Sequence, residues 1–166
     1  MILEIDGWKF EIDMTTTMEY SAAEAADHCT CAYCRNFYAA IDDNYPELRP
    51  FLAQFGLDIE APEELMPYDA APVMVYDGVY AVCGKILTEG KGGIRVGEAY
   101  VFPEIEAPIN RPAISPCFSL SVDGLELPWV LEEPMEDVVS PANQPSFLKR
   151  MWDKLLRRQP KDESST

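Results

Sequence analysis

Val73-Met74-Val75-Tyr76-Asp77-Gly78-Val79-Tyr80-Ala81-Val82 sets β-branched and aromatic residues on both sides of an Asp-Gly pair. Glycine tolerates the positive φ that a two-residue hairpin needs, so this stretch predicts a β-hairpin turning at Asp77-Gly78. The same pair occurs twice more. Asp6-Gly7 divides residues 2–14, where Ile2, Ile5, Trp8, Phe10 and Ile12 supply apolar positions. Asp123-Gly124 divides Ala113–Val122 from Leu125–Leu131. Three such turns predict an antiparallel β-sheet built from Asp-Gly hairpins. A further strand is expected over Ile94–Phe102, after the flexible Lys91-Gly92-Gly93.

The text between the first two turns is helical. Thr15-Thr16-Thr17 offers N-cap hydroxyls, and Met18–Asp27 is rich in Ala and Glu. Ala32–Asp42 carries Cys34, Phe37, Tyr38 and Ile41 at spacings of three and four. Pro46 opens a third helix through Leu48, Phe51, Leu52 and Phe55, and Gly56 stops it. A helical segment over about 18–56 follows, with Phe37, Tyr38, Phe51 and Phe55 as its seam. Leu57–Ala71 is acidic, with one helical turn expected at Glu63–Met66.

Eight of the 14 prolines fall between Pro103 and Pro145, which pushes strands there toward sheet edges or bulges. Ser146–Arg158 reads as a C-terminal amphipathic helix with Phe147, Leu148, Met151, Trp152, Leu155 and Leu156 on one stripe. Residues 145–166 carry about +3, against −19 for the rest. The expected class is therefore α+β, in a single domain over 1–158 with a disordered tail at 159–166.

Charge narrows the function. At −16 the chain lacks the basic surface that phosphate backbones and anionic lipids require, so neither nucleic acid nor membrane is expected as a partner. The N-terminus has no basic region followed by a long apolar run, and no window holds the roughly 18 apolar residues of a membrane span. The expected location is cytoplasmic. Five cysteines, an odd number, fit metal binding or redox chemistry better than a disulfide framework.

Three of those cysteines, and the single histidine, lie in His28-Cys29-Thr30-Cys31-Ala32-Tyr33-Cys34. A C-x-x-C at a turn entering a helix can place two thiolates on one zinc ion, and Cys29 can join from the preceding turn. Cys29, Cys31 and Cys34 are thus the candidate metal ligands. His28, Cys83 and Cys117 are the candidates for a fourth. Alternatively, Cys31 and Cys34 form a redox pair, because the helix dipole favours a thiolate at the helix start. For Cys83 and Cys117 taken alone, core packing is the plainer role.

Cys31-Ala32-Tyr33-Cys34 together with Ala71-Pro72-Val73-Met74-Val75-Tyr76-Asp77-Gly78 resembles the thioredoxin-like proteins. They carry C-x-x-C at a helix start and, much later, a cis-proline before a strand and a hairpin. The resemblance implies a thiol–disulfide oxidoreductase with Cys31 attacking and Cys34 resolving. It covers about twenty residues. The approach to the cysteines, Ser21–His28, favours helix where that fold has a strand.

No phosphate-binding glycine loop, H-E-x-x-H motif or calcium loop is present. The carboxylates at Glu132-Glu133 and Glu136-Asp137 read as a solvated acidic face. Two functions remain. One is a small cytoplasmic binding or interaction protein, not an enzyme, with the cluster holding a structural zinc and a protein as partner. The other is the oxidoreductase. Trp152 and its basic helix are a further candidate surface for a partner.

Overall fold

The computed structural model describes residues 1–70, 73–105 and 116–135, with the backbone alone at 69 and 70. Strands β1 (Ile2–Ile5) and β2 (Trp8–Ile12) lead into helices α1 (Met14–Ala26), α2 (Ala32–Asn44) and α3 (Leu48–Ala53). Strands β3 (Glu64–Ala70), β4 (Val73–Thr88), β5 (Ile94–Val96), β6 (Ala99–Glu104) and β7 (Cys117–Leu127) follow. All seven strands join one sheet in the order β1-β2-β4-β7-β6-β5, with β3 also on β4. Every pairing among the described residues is antiparallel. The class is α+β, as expected. The C-terminal helix, with Trp152, and the tail at 159–166 lie outside the described residues.

The three Asp-Gly pairs take three different forms. Asp6 (φ 48°) and Gly7 (φ 81°) both adopt left-handed backbone and close the β1–β2 hairpin, with Ile5 opposite Trp8. Asp77-Gly78 does not turn. It lies inside β4, a single 16-residue strand. That strand carries β7 on one edge, while β3 and β2 take successive lengths of the other. A turn at residue 77 would surrender ladder hydrogen bonds on both edges. Asp123-Gly124 does not turn either: β7 runs on through it. There Gly124 alone is left-handed, at φ 72°. Tyr76 pairs with Leu125 and Gly78 with Val122, so Asp123 and Gly124 together oppose Asp77 in a β-bulge. Asp77 Oδ1 accepts the Gly124 N–H at 2.8 Å. Two of the three Asp-Gly pairs expected to turn thus meet at one bulge, Asp77 on one strand and Asp123-Gly124 on the other.

Other boundaries shift for local reasons. Asp13, not the threonine run, caps α1: its carboxylate accepts the Thr16 N–H at 3.1 Å and the Thr16 hydroxyl at 2.8 Å. The threonines lie within the first turns of α1. The helical turn expected at Glu63–Met66 is replaced by β3, which β4 recruits as a partner. The single strand expected over Ile94–Phe102 is a hairpin, with Val96 opposite Ala99 and Gly97 at φ 57° in the turn. Gly56, at φ 81°, follows α3 as expected.

One face of the sheet and the helical hairpin α2–α3 enclose the core. Phe10 stacks on Phe118 at 5.5 Å and meets the edge of Phe55 at 5.2 Å. Phe37, Ile41, Leu48 and Leu52 are buried beside them. Of the expected seam, Tyr38 alone is only half-buried, at the rim of this core. No helix among the described residues is long and apolar enough to cross a membrane.

Candidate metal centre

The connection between α1 and α2 carries the cysteine cluster. Cys31 is the N-cap of α2, in extended backbone (φ −64°, ψ 161°), and its carbonyl accepts the Arg35 N–H at 3.0 Å. Cys29 precedes the turn, and Cys34 sits within the first helical turn. Cys29 and Cys31 are exposed and Cys34 is buried. Their Sγ atoms all lie within 4.8 Å of one another. A tetrahedral zinc with Zn–S near about 2.3 Å holds its sulfurs about 3.8 Å apart. A contraction of about 1 Å or less would therefore bring the three thiols to zinc geometry.

The thiols are electrostatically unequal. The Cys31 backbone N–H, then the Cys31 and Cys34 thiols, donate toward Cys29 and hold its pKa below the ordinary thiol value. Burial pushes Cys34 up first, and its donation to Cys29 and Cys31 adds to that. Burial likewise raises Tyr38, and the neighbouring cysteines contribute. A cation among the three sulfurs would remove the obstacle to ionising Cys34, because a metal deprotonates its thiol ligands.

Hydrogen bonds hold the backbone at Thr30 and Tyr33, on either side of Cys31. Arg35 Nε donates to the Thr30 carbonyl at 3.1 Å, and the same guanidinium pairs with Glu133. Asn36, fully buried, donates to Tyr76 Oη at 3.2 Å and to the Pro128 carbonyl at 3.1 Å. It also accepts the Val130 N–H at 2.7 Å. Tyr76 in turn donates to the Tyr33 carbonyl at 3.0 Å, and Tyr33 meets Trp129 edge-on at 5.8 Å. The start of α2 is thereby fastened to β4 and to residues 128–133. Arg35, Asn36 and Trp129 were not singled out from the sequence. The one available signal was a polar Asn36 on the apolar side of a helix, next to Phe37.

Of the candidate fourth ligands, His28 adjoins Cys29 in the chain, whereas Cys83 and Cys117 belong to the sheet. Among the described residues, the donor group that could hold a metal consists of the three cysteines alone. The His28 ring stacks on Tyr38 at 4.8 Å between centroids. Cys83 and Cys117 pair across β4 and β7. The thioredoxin-like arrangement is not formed: helix α1 precedes the C-x-x-C, and Val73–Gly78 belongs to a strand flanked antiparallel on both sides. No known protein family, curated protein or solved structure matches the chain.

Proposed function

We propose that the protein is a small cytoplasmic binding protein in which Cys29, Cys31 and Cys34 hold a structural zinc ion. The observation that carries this is the convergence of three Sγ atoms within 4.8 Å at a helix start. Zinc there would tie the α1–α2 connection to α2 and stiffen the surface beside residues 128–133. The fourth position would be filled by water or by a partner's side chain. A protein is the expected partner, since a chain of net charge −16 does not suit a polyanion. Metal analysis by mass spectrometry of protein purified without chelator tests the reading. About one zinc per chain, lost in Cys31→Ser, supports it; a metal-free chain with five free thiols overturns it.

The second reading is a thiol–disulfide oxidoreductase using Cys31 and Cys34. It is favoured by an exposed Cys31 at the α2 N-cap with a buried Cys34 within the next turn. Insulin-disulfide reduction that is abolished by Cys31→Ser would support it. Equal turnover by the wild-type and substituted chains would dismiss it.

A further inference from the structure

Cys83 and Cys117 stand directly opposite each other on β4 and β7. The Cys83 N–H donates to Thr17 Oγ1 at 3.1 Å, and its carbonyl accepts the Asp13 N–H at 2.8 Å. Both backbone groups of Cys83 therefore point away from β7. The next residue bonds the other way: Gly84 N–H donates to the Pro116 carbonyl at 2.9 Å. Cys83 and Cys117 are thus a non-hydrogen-bonded antiparallel pair, where facing residues approach most closely, with Cα atoms about 4.5 Å apart. That separation falls at the short end of the range a disulfide spans, roughly 4.4–6.8 Å.

The two side chains share a face. Tyr80, Val82, Phe118 and Leu120 point into the core, so the alternate residues Ala81, Cys83, Cys117 and Ser119 occupy the opposite face of the sheet. Cys83 is buried there and Cys117 is partly exposed. Burial raises the pKa of Cys83, and the proximity of Cys117 adds to it. A reagent from solvent meets Cys117 first.

We propose that Cys83 and Cys117 form a covalent modification site, closed to a cross-strand disulfide by low-molecular-weight disulfides of the glutathione kind. The Cys117 thiolate attacks one sulfur of the small disulfide and expels a thiolate. Cys83 then loses its proton to solvent and attacks the Cys117 sulfur, expelling the second thiolate. Two protein thiols are oxidised to one disulfide, and one small disulfide is reduced to two thiols. The product locks β4 to β7 at the end of their ladder. The site is independent of the cysteine cluster, so it stands whether or not the cluster holds metal.

The test treats the full chain with oxidised glutathione, both as wild type and with Cys29, Cys31 and Cys34 all changed to Ser. Free thiols are alkylated in denaturant and the peptides are mapped by mass spectrometry. The expected result in both chains is a linked Cys83–Cys117 peptide, two hydrogens lighter and free of glutathione. In the triple variant, oxidation should raise Tm by roughly 10 °C, reversibly with reductant. In Cys83→Ser, glutathione should remain attached at Cys117. Two results overturn the proposal: both thiols alkylated after exposure, or a glutathione adduct persisting on Cys117 with Cys83 present. If the triple variant does not fold, the wild-type map alone decides.

Discussion

Replacing Asn36 with alanine should destabilise the protein by about 3 kcal/mol. Asn36 makes three hydrogen bonds, to Tyr76, Pro128 and Val130, from a fully buried position on α2. Each such bond contributes about 1 kcal/mol net, which sets the total. The partners moderate the loss. Tyr76 keeps its bond to the Tyr33 carbonyl, and the exposed Pro128 and Val130 can recover water. Urea unfolding followed by far-UV circular dichroism measures the change. With a slope of about 2 kcal/mol/M, the midpoint should fall by about 1.5 M. Asn36→Asp refines the test, because the carboxylate can still accept the Val130 N–H but cannot make the two donations. A buried carboxyl has a raised pKa in the folded state. The stability it allows is present below the unfolded pKa, about 4, and lost as pH rises through the folded value. This variant should therefore be weaker at pH 7 than at pH 4, relative to wild type. A midpoint shift below about 0.3 M for Asn36→Ala would refute the view that Asn36 fastens α2 to residues 128–130.

Three further outcomes are expected. Gly84→Ala should cost about 3 kcal/mol or leave the chain unfolded, by thermal melt, because its φ is 150° and a Cβ would lie 2.0 Å from the Glu11 carbonyl oxygen. Burial raises Tyr20, Tyr38, Tyr45, Tyr76 and Tyr80, with Tyr76 pushed up to about 12. The neutral phenols favour the folded state, so stability holds below about pH 10 and falls as pH climbs toward 12; tyrosinate absorbance should rise together with loss of structure, and independent titration of these tyrosines in a folded chain would contradict it. Removing zinc with a chelator should lower Tm by roughly 5–10 °C if zinc stood at about a hundred times its Kd, and Cys34→Ser should abolish that response.

The cysteine cluster was legible because it is local. Residues 29, 31 and 34 span one turn and the start of one helix, so backbone geometry alone brings their sulfurs together. The Asp6-Gly7 hairpin was legible for the same reason: its strands pair directly across the turn, Ile5 with Trp8, and β4 takes the other edge of β2. Asp77-Gly78 carries an equally good local signal, yet its fate depends on residues 64–70 and 117–127. Those segments line both edges of β4, and the bonds they make outweigh the turn preference. Asn36 was invisible because its partners are 40 to 94 positions away in the chain.

By itself, then, the sequence determined the α+β class, the helical segment bearing the cysteines and the proximity of the three thiols. Each rests on propensity or spacing within a dozen residues. Tertiary structure alone decided that two Asp-Gly pairs meet at one bulge, that Asn36 pins α2 to residues 128–130, and that Cys83 faces Cys117. These depend on strand register and sheet order, which are set by contacts across tens of residues and leave no local trace.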